Sequence, residues 1–153
     1  MEPSSATSPR TVLFLAYHFP PLGGAGVQRS VKFVRYLPDF GIRPVVITGP
    51  RGQTSSWPPK DPSLEDEIPA DVPIFRPSVG EEAAEIPKPT GKMTWLMHRL
   101  LQQPSISSGA WVENCCTIGR ETAAEHDIDL IFASMSPFET AEAAGQLSRD
   151  LGI

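Results

Sequence analysis

Cysteine is nearly absent from this 153-residue sequence, and the only two, Cys115 and Cys116, are neighbours. Adjacent cysteines do not readily bridge one another and no third thiol offers a partner. The chain therefore carries neither a disulfide framework nor the spaced pattern of a metal site, and its thiol use fits a reducing compartment. Positive charge is also short: 13 Lys and Arg stand against 18 Asp and Glu, a formal net charge of −5 with no basic stripe. That excludes a protein that tracks nucleic-acid phosphates. Long apolar runs are missing too. The run TVLFLA at residues 11–16 is followed by His18, Pro20 and Pro21 and not by a small-residue cleavage site, so it reads as a core strand. No stretch approaches the roughly 18 apolar residues of a membrane span. The expectation is a cytoplasmic protein with no metal and no nucleic-acid partner.

What is present suits one domain, since 40% of the residues are apolar, enough for a single core. Residues 1–9 (MEPSSATSP) are small and polar and predict a disordered tail, leaving 10–153 as the domain. Val12 to Leu15 form a continuous apolar run, the pattern of a parallel strand buried on both faces. From Val27 the apolar residues Val27, Val31, Val34 and Leu37 recur at helical spacing, with Gln28, Arg29, Lys32 and Arg35 between them. Pro38 and Gly41 end that helix, and PVVIT at 44–48 gives a second buried strand, completing a right-handed βαβ unit.

Residues 49–70 turn to Pro, Ser, Asp and Glu and predict a long surface loop before a short third strand at 72–75. Residues 77–91 are again Pro- and Glu-rich. An apolar helix at 93–101 (MTWLMHRLL), a second helix from about 109 to 125, a strand at 129–134 (DLIFAS) and a last helix at 138–151 follow. The alternation implies an α/β fold, a Rossmann-like parallel sheet with helices on both faces. Ligands of such sheets bind beyond the C-terminal strand ends, so the turns after Leu15, Ile47 and Phe132 are the places to look.

The first of those turns holds Gly23, Gly24, Ala25 and Gly26 before the first helix. Backbone without side chains lets a phosphate approach closely, and a helix N-terminus offers free N–H groups and partial positive charge. A dinucleotide fingerprint would need a third glycine where Arg29 stands, and an acidic residue ending strand two, where Thr48 and Gly49 stand. The P-loop pattern would need Gly-Lys-Ser/Thr after four residues. Both are disfavoured. Glycines that only permit a tight strand-to-helix turn are the plain alternative.

The stretch VLFLAYHFPPLGGAGVQRSVKFVRYLPDFGIRPVVIT resembles the opening of family 4 type glycosyltransferases with the GT-B fold. It shares their apolar strand, aromatic-Pro-Pro turn, double glycine, amphipathic helix and second strand ending in threonine. DLIFASMSPFETAEAAGQLSRDLGI is similar to that family's Asp-x-Ile strand, Ser-x-x-Pro turn and following helix. The likeness covers the first 49 and last 25 residues and little of the middle. It implies the acceptor-side, N-terminal part of a transferase that uses a nucleotide-sugar as donor substrate and a sugar or lipid-linked acceptor. In that family Gly23, Gly24 and Gly26 would lie near the donor diphosphate. The nucleotide pocket, with its paired glutamates, would belong to a missing C-terminal Rossmann-like domain, and the chain reads as truncated and inactive alone. A nucleotide- or phosphate-binding module without catalysis is the other reading.

Acceptor-side candidates are His18, Arg29, Ser134, Ser136 and Glu139. His18 follows strand one on the ligand edge; the alternative is a turn histidine bonded to backbone. Arg29 offers a cation to an anionic acceptor; the alternative is a solvated helix face shared with Lys32 and Arg35. Ser134, Ser136 and Pro137 form the turn after the last strand. The histidine that many relatives carry near this turn is absent, leaving Glu139 to meet an acceptor hydroxyl. His98 and His126 read as structural. The helix at 93–101 packs in the core or touches the inner face of a membrane peripherally.

Overall fold

The computed structural model describes residues 9–49, 59–77, 106–135 and 137–153. The expected tail, the helix at 93–101, His98 and Ser136 lie outside those residues. Four parallel strands form one sheet in the order β3-β2-β1-β4. They are β1 (Arg10–Ala16), β2 (Ile42–Thr48), β3 (Ile74–Phe75) and β4 (Leu130–Ala133).

The continuous apolar run of β1 is explained by its central place. Strand side chains alternate between faces. Leu13 and Leu15, with Val45 and Ile47 of β2, point to one layer, while Phe14, Ala16 and Val46 point to the other. On the first side lie α2 (Ile106–Glu125) and α3 (Glu139–Leu151), through Trp111, Val112, Cys115, Cys116, Ala143 and Leu147. On the second lies α1 (Ala25–Tyr36), through Val27, Val31 and Val34. Helices cover both faces, as the alternation of elements predicts.

Pro44 sits within β2 without breaking it. Its partner on the β1 side is Val12, and β3 pairs only with Val46 and Ile47, further along the strand. A residue lacking an N–H is tolerated where a ladder is incomplete. The first helix stops as its sequence suggests: α1 tightens into a 3-10 turn over Leu37–Phe40, and Gly41 takes the left-handed φ of 72° before β2.

The segment at 49–70 departs from the surface loop expected of it. Its described part includes a 3-10 turn, Pro62–Glu67, that drives Leu64 into the core beside α1 at 5% exposure. Lys60 pairs with Leu22 in an antiparallel bridge. One buried leucine in a polar turn gives no periodic signal, yet with Ile68 packed beside it and Glu67 meeting Lys32 and Arg35 of α1 it helps to pin the segment. Those two cations are thus ion-paired and not part of a plain solvated face.

From β1 the chain steps outward through β2 to β3, then returns to lay β4 on the other side of β1. The connections leaving β1 and β4 therefore diverge to opposite faces of the sheet, and the crevice that such a topology creates falls at the C-terminal ends of these two strands. This is where an open α/β sheet binds its ligands.

Candidate functional site at the β1–β4 switch point

Two turns border the crevice, one running from β1 into α1 and the other from β4 into α3. The β1 ladder carries on into both neighbours: Ser134 donates its amide to the Leu15 carbonyl at 2.8 Å and Gly49 to the Tyr17 carbonyl at 3.0 Å. At the opposite end Asp129 fixes the start of β4, accepting the Thr11 amide on Oδ2 at 2.7 Å and donating its own to the Thr11 carbonyl at 2.9 Å. The aspartate of the Asp-x-Ile strand thus sets the register of β4 and stands far from the crevice.

The three glycines of the first turn are not equivalent. Gly23 is buried, its amide is already given to the Pro59 carbonyl at 2.6 Å, and an added Cβ would meet Asp61 Cβ at 2.8 Å. It serves close packing between the turn and the 59–61 segment and has no donor left for a ligand. Gly24 holds φ 100° as the N-cap of α1, with no side-chain cap bond, and a Cβ added at Gly24 or at Gly26 would find no atom within 4 Å. The first amides of a helix have no intrahelical acceptor, so the approach to α1 over Gly24 and Gly26 is open. The peptide bond between Pro20 and Pro21 in the same turn is cis.

Arg29 and Ser134, 105 residues apart in sequence, meet here. Arg29 Nη2 donates to Ser134 Oγ at 3.2 Å, and Ser30 Oγ lies 3.1 Å from Ser134 Oγ and 3.2 Å from the Gly26 carbonyl. One turn of α1 therefore holds the end of β4 and leaves an exposed guanidinium at the rim. A cation in the first turns of a helix opposes the macrodipole. The Ser134 contact gives it a local partner, and the same position reinforces the helix N-terminus as an anion-attracting point.

On the other side of the crevice stands Tyr17. Its ring packs edge-on to Trp111 at 5.1 Å and to His18 at 5.0 Å, and it fills the space against Gly49, where a Cβ would come within 2.6 Å of the Tyr17 carbonyl oxygen. Burial, and secondarily the carboxylate of Glu139, push the Tyr17 phenol above its ordinary pKa. Glu139, in the first turn of α3, is thus near enough for its charge to act on the Tyr17 phenol. Burial lowers the His18 pKa from its ordinary value, and its Nδ1 is enclosed with no hydrogen-bond partner.

Nothing in the sequence singles out Tyr17 or Arg76. Arg76 follows β3 and reaches across the strand ends to the carbonyls of Pro20, at 2.6 Å, and Gly49, at 3.4 Å. A lone arginine after a two-residue strand carries no local signal of that reach. His126 closes α2 at the opposite sheet end, its amide bonded to Thr122, apart from the crevice. Among the described residues no three or more His, Cys, Asp or Glu side chains gather as a metal site, and no helix is long and apolar enough to cross a membrane. No protein-family model, curated protein or solved structure matches this chain.

Proposed function

We propose that this chain is the acceptor-side part of a glycosyltransferase that moves a sugar from a nucleotide-sugar to a sugar or lipid-linked acceptor. The observation that carries the reading is the junction of Arg29, Ser30 and Ser134 beside the open Gly24–Gly26 approach to α1, at the point where the strand order reverses. It supplies what a departing diphosphate needs: free backbone donors, the positive end of a helix dipole and a guanidinium. Glu139, in the first turn of α3, would accept a hydrogen bond from an acceptor hydroxyl. The nucleotide would be held by a second Rossmann-like domain, and catalysis would come from orienting donor and acceptor while stabilising the leaving group.

The test is a thermal-shift titration of the purified chain with nucleoside diphosphates, repeated on Arg29→Ala. A stabilisation that the substitution reduces supports the site. No shift with any of them counts against the diphosphate site. Transfer is tested separately, by joining the chain to a nucleotide-binding second domain and assaying for glycosyl product. Diphosphate binding without transfer in any such pairing would favour a non-catalytic binding module built on the same turn.

A further inference from the structure

We infer that Arg76 is a positioning residue for the diphosphate site: from the end of β3 its guanidinium holds the turn that leads into Gly24 and so sets the approach to α1. The inference rests on the site proposed above and adds to it a side chain that acts through the backbone and not on the ligand.

The need for an outside hold is written into the turn. Pro20 and Pro21 have no amide hydrogen, and residues 19–23 make one backbone bond among themselves, from the Leu22 amide to the Phe19 carbonyl at 3.1 Å. Three further groups of the turn are tied to the chain beyond β2. Asp61 donates its amide to the Pro21 carbonyl at 2.8 Å, Gly23 donates its own to the Pro59 carbonyl at 2.6 Å, and Arg76 Nη2 donates to the Pro20 carbonyl at 2.6 Å. Pro20, Pro21 and Gly23 are thus placed by Pro59, Asp61 and Arg76, and Gly24, with φ 100°, follows directly.

Two of these ties run between backbone atoms and depend on no side chain. Arg76 supplies the third. It is half-buried, and its Nη1 lies 3.4 Å from the Gly49 carbonyl, so one guanidinium spans the connections that leave β1 and β2. A planar fork of donors suits two carbonyls at once, and a charged donor makes the stronger bond.

Strand order gives the hold its direction. In the order β3-β2-β1-β4, Arg76 follows β3 on one side of β1 and Ser134 follows β4 on the other. The connection from β1 into α1 is therefore fastened towards opposite sides, at Pro20 by Arg76 and at Arg29 and Ser30 by Ser134. Gly24 and Gly26 lie along the chain between these two holds. Backbone donors that must meet a diphosphate are only as well placed as the groups that fix them, and Arg76 is the side chain that fixes the leading end.

The test uses the full chain, with uridine and adenosine diphosphates as probes. Arg76→Met keeps an aliphatic stem and removes every donor, while Arg76→Lys restores a donor group at similar reach. Isothermal titration calorimetry should show affinity falling roughly tenfold in Arg76→Met, the scale on which outer hydrogen-bond partners act in metal sites, and recovering in large part in Arg76→Lys. Amide NMR spectra without ligand should show the Gly24 and Gly26 signals displaced in Arg76→Met and returned towards their wild-type positions in Arg76→Lys. A loss of stability alone would leave those signals in place. Arg76→Gln, whose amide falls short of the guanidinium's reach, takes the place of Arg76→Met should that variant not fold. Unchanged affinity in the variant without the contact, or Gly24 and Gly26 signals that do not move, overturns the inference. A wild type that binds neither nucleotide refutes the diphosphate site instead, and the amide signals then judge Arg76 by themselves, displaced in support and unmoved against it.

Discussion

Arg29 donates to Ser134 across 3.2 Å, joining the first turns of α1 to the end of β4 over a separation of 105 residues. The bond ties together two connections that leave the sheet on opposite faces, and Arg29 itself is exposed. Removing either partner should leave the fold intact, because Arg29 is exposed and exposed polar contacts contribute little to stability. Binding should respond differently. Arg29→Ala is expected to weaken nucleoside diphosphate binding by roughly tenfold, the scale of one charge-assisted hydrogen bond, and Ser134→Ala by less. Isothermal titration calorimetry checks both, with unfolding midpoints as the control.

The glycines of the turn make opposite demands. Gly23→Ala drives a Cβ against Asp61 Cβ and the Pro59 carbonyl and should destabilise the chain by about 1–3 kcal/mol, as overpacking of a fixed backbone does. Gly26→Ala enters open space in the first turn of α1 and should be neutral or stabilising by about 0.5–1 kcal/mol, since alanine loses less chain entropy in a helix. Urea unfolding of the two variants should move the midpoint in different directions.

His18 links stability to pH. Burial holds its folded pKa below the ordinary 6.5 of the unfolded chain, so the unfolded state takes up the proton first. The stability tied to a neutral His18 is present above pH 6.5 and is lost as pH falls through the lower folded value. Denaturant midpoints should therefore decline from pH 7.5 towards pH 5. His18→Gln should flatten that part of the profile; an unchanged slope would remove His18 as its source.

Leu64 is the one apolar anchor of the 3-10 turn against α1 and is 5% exposed. Leu64→Ala should cost about 2–4 kcal/mol. Because Leu22 and Lys60 are bridged and Gly23 is bonded to Pro59 in the same region, hydrogen exchange should quicken at the glycine turn as well as around Leu64.

Cys115 is fully buried in the α2 layer, and burial pushes its thiol up to about 12. Thiolate is the reactive form, so the native protein at pH 8 should resist alkylation at Cys115, and labelling should appear only on unfolding. Mass spectrometry after timed exposure to iodoacetamide resolves this.

Much of the sheet is legible in the sequence because β1 and β2 are buried on both faces, and a strand in that setting must be apolar throughout. The helical stripe of Val27, Val31 and Val34 is legible for the related reason that one side of α1 packs on Phe14 and Val46. Element boundaries are less so: α2 begins at Ile106, ahead of the expected start near 109, and β4 spans Leu130–Ala133, shorter than the expected 129–134. The packed turn around Leu64 is not legible, because a single leucine among Pro, Ser and Glu has no period to detect.

The sequence by itself determined the α/β alternation, the parallel sheet it requires, and the glycine turn as the place where backbone lies bare. Those follow from local composition and spacing, which act through neighbours along the chain. Only the tertiary structure decided that Gly23 is spent on packing while Gly24 and Gly26 stay open, and that Arg29 reaches Ser134. Each depends on which distant segment comes to lie beside a residue, and that is fixed by how the layers stack.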